Sequence, residues 1–335
     1  MKKLLTLIWI ITTTLLITEF LVKYFIPQNI SGSWRVQNEY GLMLNKNSGK
    51  SLHTTLGDYK SNYSFGKFHN RKYNLEENEN KILVLGDSVT FGWGLNDEDT
   101  FIYKLAKKFS DYEFINAAAG GWGTADYTRY YDDFCKLIKP KYTLIFIDNF
   151  DLDRSIESNL YNLNNKDELV KGENIINLNK KIMNSLPFYD YLIERSHLLN
   201  LLKVIILSPS KPMKFNLGGV VQAAEVTKDK NQLLSEKLFF EIKKISNKCN
   251  SKLIIFNIGW WDYNIQNTIT SIFLRNSKSF FGNNKVIYFD LNNEMSEVSN
   301  NKKKYSNKED NLHPNKIGSN ILYNKIKPKL EKLIK

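Results

Sequence analysis

The chain has 335 residues, of which 42% are hydrophobic and 24% are charged, as in an ordinary globular protein that buries its own core. The net charge is +12, but the lysines are scattered among asparagines without a nucleic-acid-binding motif, so we expect no nucleic-acid partner. Two distant cysteines, Cys135 and Cys249, lie in predicted helices, and we interpret them as buried free thiols rather than a disulfide. No Cys/His cluster predicts a metal, and no motif predicts a soluble cofactor.

The N-terminus combines two positive charges with a long apolar run. Lys2 and Lys3 precede residues 4–25. This segment is long and apolar enough to cross the hydrocarbon core of a bilayer as a helix. A cleaved signal peptide would end in small residues, and TEFLVKYFIPQ offers none. We therefore expect residues 1–26 to be an uncleaved single-pass anchor in the cell membrane, with the two lysines in the cytoplasm and the rest exported. A signal peptide and a buried soluble helix are the alternatives.

Residues 27–80 are polar, with interspersed aromatics and glycines, and predict a stalk with a few short strands. From Lys81 onward, short apolar runs that predict buried strands alternate with stretches that predict helices. The predicted strands are KILVLGD, YEFIN, YTLIFID, KLIIFNI and VIYFDL, and the predicted helices are residues 99–109, 124–138, 228–249 and 316–334. This alternation predicts an α/β sandwich around a parallel sheet over residues 81–335.

An insertion of about residues 155–227 separates the third predicted strand from the long helix that follows. It has no clear strand pattern, and its stretch LPFYDYLIERSHLLNLLKVIIL is amphipathic, which predicts a helix. An insertion of this size often serves as a lid or a substrate-binding element.

The polar motifs fall where strands end, which is where open parallel sheets bind their ligands. The first strand leads into GDSVTFGWG, in which Gly86 allows a sharp turn and Ser88 begins a helix with its hydroxyl exposed. The second leads into NAAAGGWGT, whose backbone N–H groups, including that of Gly121, can face a substrate oxygen. The third is followed by Asn149, whose side-chain amide can donate.

Near the C-terminus, DNLHPNKIG places Asp310 three residues before His313, so that one turn brings carboxylate and imidazole together. A serine hydroxyl needs a base to act as a nucleophile, and histidine has a suitable pKa. A carboxylate holds the imidazole in the right tautomer. We therefore predict Ser88 as nucleophile, His313 as base and Asp310 as its partner. The N–H groups of Ser88 and Gly121 and the amide of Asn149 are the predicted oxyanion donors.

These motifs resemble the SGNH hydrolase superfamily of GDSL-type esterases and acyltransferases, in the right order over residues 81–323. GDS at 86–88, NAAAGG at 116–121 and DNLHPN at 310–315 match three of its blocks. The third block departs, because IDNF at 147–150 supplies Asn149 but lacks the aspartate that usually follows it. The resemblance implies a three-layer, flavodoxin-like α/β sandwich and cleavage or transfer of an ester acyl group.

Four further side chains close to the motifs are candidates for substrate contact. Trp93, Trp122 and Trp260 follow strands or motifs, and Asp87 precedes the predicted nucleophile. Aromatic rings at these places either stack on sugar rings or pack in the core.

An anchored, exported domain of this superfamily suits O-acetylation or deacetylation of a cell-envelope polysaccharide. The expected partners are the bilayer, a glycan or acyl-ester substrate, and as a further candidate a membrane acyl-transfer protein. A lipase or thioesterase at the membrane surface is the second hypothesis. An inactive SGNH domain that serves as a glycan-binding or assembly subunit is the third. The sequence does not distinguish hydrolase from transferase, because both use the same three residues.

Overall fold

The structure is a computed structural model that describes residues 1–148, 150–172, 185, 188–207, 228–260 and 269–334. Its strands are, in chain order, β1 (Arg35–Gln37), β2 (Met43–Asn45), β3 (Lys50–Thr55), β4 (Tyr59–Gly66), β5 (Asn70–Arg71), β6 (Lys81–Leu85), β7 (Glu113–Asn116), β8 (Tyr142–Ile147), β9 (Tyr161–Leu163), β10 (Leu169–Lys171), β11 (Lys252–Asn257) and β12 (Ile287–Asp290). Its α-helices are α1 (Lys2–Phe25), α2 (Ser88–Phe91), α3 (Phe101–Lys108), α4 (Thr124–Ile138), α5 (Asp151–Ser158), α6 (Tyr189–Ile193), α7 (His197–Leu207), α8 (Lys228–Lys248), α9 (Ile269–Asn283), α10 (Ser296–Asn300), α11 (Lys302–Tyr305) and α12 (Lys316–Glu331).

The five strands predicted from apolar runs form the parallel part of the central sheet. They lie in the order β7-β6-β8-β11-β12, which is the flavodoxin-like order of a doubly wound sheet. The carboxyl ends of these strands meet at one edge, so the loops after β6, β7 and β8 are brought together there. The predicted fold class is confirmed.

Alternating side chains of each strand supply two hydrophobic layers, because successive residues of a strand point to opposite faces. In β6, Leu83 and Leu85 face the layer that contains α4, α8 and α9, whereas Ile82 and Val84 face the layer that contains α3 and α12. All four side chains are fully buried. Helices therefore cover both faces, which is why the strands read as continuous apolar runs rather than as alternating ones.

The N-terminal helix α1 extends from this domain. It is long and apolar enough to cross a membrane, and it is almost entirely exposed. Its packing against the rest of the described chain is limited to its C-terminal half, where Val22 is buried.

Residues 27–80 contain the predicted short strands, but they do not form a separate stalk. Strands β3, β4 and β5 continue the central sheet beyond β7 in antiparallel fashion, which makes an eight-stranded sheet. Trp34, Tyr63 and Phe65 pack against Phe91 of α2 in a common apolar cluster. This segment is therefore part of the α/β domain, and several of the polar side chains that suggested a stalk, including His53, Asn70 and Arg71, are buried in it.

The insertion differs from its prediction in one respect. Two short strands, β9 and β10, pair as an antiparallel hairpin where the sequence showed no strand pattern. Each has only three residues, too few for an alternation to be recognised. The predicted helical stretch is present as α6 and α7, and residues 173–184, 186–187 and 208–227 of the insertion lie outside the described ranges.

The cysteines also differ from their prediction, because Cys135 and Cys249 are joined in a disulfide with a Cα–Cα distance of 6.2 Å. Cys135 lies in α4, and Cys249 directly follows α8. These two helices pack side by side on one face of the sheet. Proximity of this kind arises from tertiary packing and leaves no local pattern in the sequence.

We expect this disulfide to stabilise the domain, because a cross-link across 114 residues restricts the unfolded chain. The double variant Cys135→Ser/Cys249→Ser should lower the free energy of unfolding by about 2–4 kcal/mol, measured by urea unfolding of the detergent-solubilised full chain. Reduced wild-type protein should resemble the double variant. Recovery of the two cysteines as unlinked peptides from unreduced protein would contradict the pairing.

Candidate active site

Ser88 begins α2 at the point where β6 ends. Gly86 permits the tight turn, because a Cβ atom there would lie 2.3 Å from Oγ1 of Thr90. The next residue, Asp87, caps the short helix by accepting a hydrogen bond from the N–H of Val89 at 2.8 Å. Ser88 is 5% exposed, so its hydroxyl lies at the carboxyl edge of the sheet with little access to water.

His313 connects the serine to a carboxylate. Its Nε2 lies 2.9 Å from Oγ of Ser88, and its Nδ1 lies 2.9 Å from Oδ2 of Asp310. With the proton on Nδ1 donated to the carboxylate, Nε2 can accept the proton of the serine hydroxyl. The other oxygen of Asp310 accepts the backbone N–H groups of Leu312 and His313 at 3.0 and 3.1 Å. The structure thus brings Ser88, His313 and Asp310 together as the sequence predicted.

The environment of Asp310 favours its charged form. Burial opposes the charge, but the hydrogen bond and the positive field of His313, together with two backbone N–H groups, outweigh burial and hold the pKa of Asp310 below its ordinary value. The carboxylate is therefore ionised at neutral pH, as required to stabilise an imidazolium.

Three contacts fix the imidazole of His313. Trp93 stacks on it, with ring centroids 5.5 Å apart and an interplanar angle of 27°. The carbonyl of His313 accepts the N–H of Asn307 at 2.9 Å. The indole N–H of Trp260 donates to the carbonyl of Leu312 at 2.7 Å. The base is thus held by its ring, its own carbonyl and the residue before it.

Trp93 in turn packs against residues 27–80, the segment that the sequence predicts to be a stalk. Its ring meets His53 edge-on at 4.8 Å and Trp34 at 5.5 Å. Nδ1 of His53 pairs with the hydroxyl of Tyr63 at 2.6 Å. Burial, helped by the neighbouring His313, lowers the pKa of His53 to about 3. His53 is therefore a neutral aromatic support at physiological pH. A lone histidine in an aromatic segment gave no sequence signal for this role.

The glycine loop after β7 lies next to Ser88. The N–H of Ala119 donates to the carbonyl of Gly86 at 3.3 Å, and Arg35 Nη2 donates to the carbonyl of Gly120 at 3.0 Å. Gly121 has a φ of +79°, a conformation that favours glycine. Over the described ranges, the N–H groups of Ser88 and Gly121 donate to no protein acceptor, so both can serve an oxyanion. Asn149, the third predicted donor, lies outside the described residues.

Three of the four predicted substrate contacts are buried supports instead. Trp122 and Trp260 are each 1% exposed, and Asp87 is fully buried. The indole N–H of Trp122 donates to the carbonyl of Met43, and Asp87 pairs with Arg154. Their positions after strands reflect the demands of packing at the edge of the sheet. Trp93 alone is partly exposed, with its ring on His313.

The sequence did not predict a network of charged side chains that adjoins Ser88 through Asp87. Nη1 of Arg154 donates to Asp87 at 2.9 Å and to Asp151 at 3.4 Å, and the hydroxyl of Tyr127 donates to Asp151 at 2.6 Å. Burial and the nearby charge of Asp87 raise the pKa of Asp151 well above its ordinary value. Burial lowers the pKa of Arg154, but the two carboxylates outweigh it and raise that pKa overall. In the sequence, the i,i+3 spacing of Asp151 and Arg154 was the one feature that could have indicated an ion pair of this network.

We expect Gly120 to be required for the position of the base. A Cβ atom there would lie 2.6 Å from Cζ3 of Trp93, so Gly120→Ala should displace the indole that stacks on His313. Because misplacing a catalytic group by about 1 Å can cost about 100-fold, kcat for a small acetyl ester should fall about 10- to 100-fold. Gly282→Ala, where no atom lies within 4 Å, is the matched control. Equal rates for both variants, with both folded, would refute this role.

No protein-family model and no curated protein matches the chain. The solved structures that are similar to it include the psychrotrophic esterase EstA from a Pseudoalteromonas species, with 16% identity, a TM-score of 0.42, and coverage of 76% of this chain and 97% of that chain. They also include the acetyl xylan esterase AlAXEase, with 15% identity, a TM-score of 0.42, and coverage of 76% and 100%. A third is a member of the lipolytic G-D-S-L family from Veillonella parvula, with 10% identity, a TM-score of 0.42, and coverage of 76% and 99%.

At these identities and TM-scores the similarities carry no argument about activity. The resemblance to the SGNH hydrolase superfamily rests on the chain's own features. Its parallel strands have the flavodoxin-like order, and its motif blocks come in the order of that family. The strand order and the hydrogen bonds that join Ser88, His313 and Asp310 are those that the resemblance to the SGNH hydrolase superfamily predicts.

Proposed function

We propose that this protein is a membrane-anchored serine esterase or O-acyltransferase that acts on ester groups of a cell-envelope polysaccharide. The observation that carries the enzymatic part is the continuous hydrogen-bonded series from Asp310 through His313 to Ser88. An inactive binding subunit has no need of this arrangement, and a serine that only caps a helix would not face an imidazole.

The first half of the reaction transfers the acyl group to Ser88. His313 Nε2 accepts the hydroxyl proton as Oγ attacks the carbonyl carbon of the ester. The N–H groups of Ser88 and Gly121 donate to the oxyanion that forms. His313 then returns the proton to the leaving alcohol oxygen as the carbon–oxygen bond breaks, which leaves an acyl-serine.

The second half releases the acyl group. A hydroxyl oxygen attacks the acyl-serine while His313 accepts its proton, and the proton is then returned to Oγ as the serine departs. Water as the nucleophile makes the enzyme an esterase, and a sugar hydroxyl makes it an acyltransferase. The two reactions differ only in which hydroxyl reaches the acyl-serine.

Two observations support an exported domain. The helix α1 has the length and composition of a membrane span, with Lys2 and Lys3 at its start. The disulfide between Cys135 and Cys249 is of a kind that persists in oxidising compartments outside the cytoplasm. An anchored site in that compartment lies where envelope polymers are assembled.

Two features favour a polysaccharide as the substrate. Trp93 offers a partly exposed aromatic ring beside the catalytic residues, which suits a sugar ring. The net charge of +12 favours acidic polymers. The second candidate, a lipase or thioesterase, is favoured by the exposed apolar side chains of α6 and α7 next to α1.

Removal of either catalytic residue should abolish turnover. Ser88→Ala and His313→Ala should each lower kcat for a small acetyl ester by several orders of magnitude, and the double variant should be little worse, because the residues act as a unit. Asp310→Asn should cost less than either. A fluorophosphonate should label the wild type and not Ser88→Ala. Folded Ser88→Ala with activity within about tenfold of wild type would rule out the assignment.

The acceptor is tested by the ester content of surface polysaccharide purified from wild-type and Ser88→Ala cells. Because Ser88 carries the acyl group, a lower content in the variant indicates transfer to the glycan, and a higher content indicates de-esterification. Unchanged glycan esters together with changed lipid esters would reject the polysaccharide and favour the lipase.

A further inference from the structure

Exposed apolar side chains concentrate in one short segment of the domain, residues 188–207, here called the apolar helix pair because it consists of α6 and α7. Six large apolar side chains in this segment are exposed: Phe188, Tyr191, Leu192, Leu202, Val204 and Ile205. Over the rest of the described domain such side chains occur singly: Leu56, Leu137, Ile156, Val170, Phe240 and Ile317. Single exposed apolar residues are ordinary, whereas a cluster marks a surface that another apolar phase covers.

The helix pair is attached to α1 by a carboxylate. Glu19 of α1 accepts the hydroxyl of Ser196 at 2.7 Å and the backbone N–H groups of His197 and Leu198 at 2.8 and 2.9 Å. Nearby, Nδ1 of His197 accepts the N–H of Gln28 at 2.9 Å. Glu19 therefore caps the N-terminus of α7, and the start of α7 lies against the C-terminal part of α1.

The contact between Glu19 and the start of α7 satisfies two kinds of polar group that would be costly in an apolar environment. A carboxylate within a membrane span is costly unless it is paired or hydrogen-bonded. The first N–H groups of a helix are likewise costly when they lack acceptors and water. Glu19 lies about six residues before the end of α1, which at 1.5 Å per residue is roughly 9 Å along its axis. With the end of α1 at the headgroup level, the start of α7 would lie within this distance of the membrane interface.

The helix pair is also attached to the catalytic domain. Nζ of Lys46 lies 3.2 Å from Asp190 and 3.8 Å from Glu194, and the hydroxyl of Ser33 donates to Glu194 at 2.6 Å. The acidic charges of α6 are thereby directed toward Lys46 of the domain. Arg195 lies over the ring of Tyr191 at 3.8 Å, and a Tyr/Arg pair is typical of a membrane–water interface.

We propose that the apolar helix pair is a second membrane contact, which inserts its exposed apolar side chains into the leaflet nearest the domain. This inference rests on the proposed anchoring of the chain by α1. The pair lies in the interface and does not span, since α7 has 11 residues and a span needs about 20. The catalytic domain is consequently held against the bilayer at two points, which fixes its orientation as well as its distance.

Spin labels at three positions test this in the full chain reconstituted in phosphatidylcholine/phosphatidylglycerol vesicles, with the native cysteines kept oxidised. Ile205→Cys reports on α7, Ile8→Cys on α1, and Leu137→Cys is the matched control, because Ile205 and Leu137 are similarly exposed, at 62% and 67%. Collision with oxygen and with a water-soluble nickel chelate measures the surroundings of each label. We expect a lipid-like ratio at Ile205 and Ile8 and a water-like ratio at Leu137.

A water-like ratio at Ile205 overturns the second contact, whatever Ile8 shows. A water-like ratio at Ile8 independently overturns the anchor, so the two failures are distinguishable. Glu19 provides a further comparison at the Ile205 label. Glu19→Gln keeps an acceptor for the start of α7, whereas Glu19→Leu removes it and leaves α1 more apolar. We expect label mobility to rise in Glu19→Leu and to stay near wild type in Glu19→Gln, and equal mobility in both would refute the docking through Glu19.

Discussion

The hydrogen bond between Nε2 of His313 and Oγ of Ser88 joins residues 225 positions apart, and the chemistry depends on it. Ser88 follows the first strand of the parallel sheet, and His313 lies in a loop before the last helix. The fold must therefore bring these two distant elements together. Two aromatic side chains hold the loop. The indole N–H of Trp260 donates to the carbonyl of Leu312, and the ring of Trp93 stacks on the imidazole of His313. Rigid aromatic packing thus sets the distance over which the proton moves, since a dense interior leaves side chains few alternative positions.

The segment before the parallel sheet is as important to the site as the motifs themselves. Arg71 of β5 is fully buried, and its guanidinium donates to the carbonyls of Phe91 and Gly92 at 2.7 and 2.8 Å and to Asp97 at 2.7 Å. A buried cation without such partners would be strongly destabilising. Here it fixes the turn that follows the nucleophile helix. Residues 27–80 therefore complete the active site, and the domain cannot be divided at residue 80 without loss of these supports.

Much of the fold could be predicted from the sequence, because the parallel strands are buried on both faces and read as apolar runs, as in KILVLGD. The meeting of Ser88, His313 and Asp310 was also predictable, since Asp310 and His313 are local neighbours and Ser88 follows a strand. Contacts between distant elements that no sequence motif marks could not be predicted. The pairing of Cys135 with Cys249 depends on how two helices pack, and buried Trp122 resembles an exposed aromatic when only its position after a strand is known.

The supports of the site form a connected path from α1 to the oxyanion donors. Glu19 holds the start of α7, and Lys46 at the end of the first hairpin holds α6. The same hairpin carries Arg35, which donates to the carbonyl of Gly120 next to Gly121. Each of these contacts joins a charged group to a partner. Such contacts keep their geometry better than apolar contacts, because a displaced partner leaves a charge unpaired. With α1 anchored as proposed, a domain tied in this way would hold Ser88 at a constant height above the bilayer. Under the proposed function, an acceptor polymer growing from the membrane would then meet the acyl-serine at a fixed distance from its point of attachment.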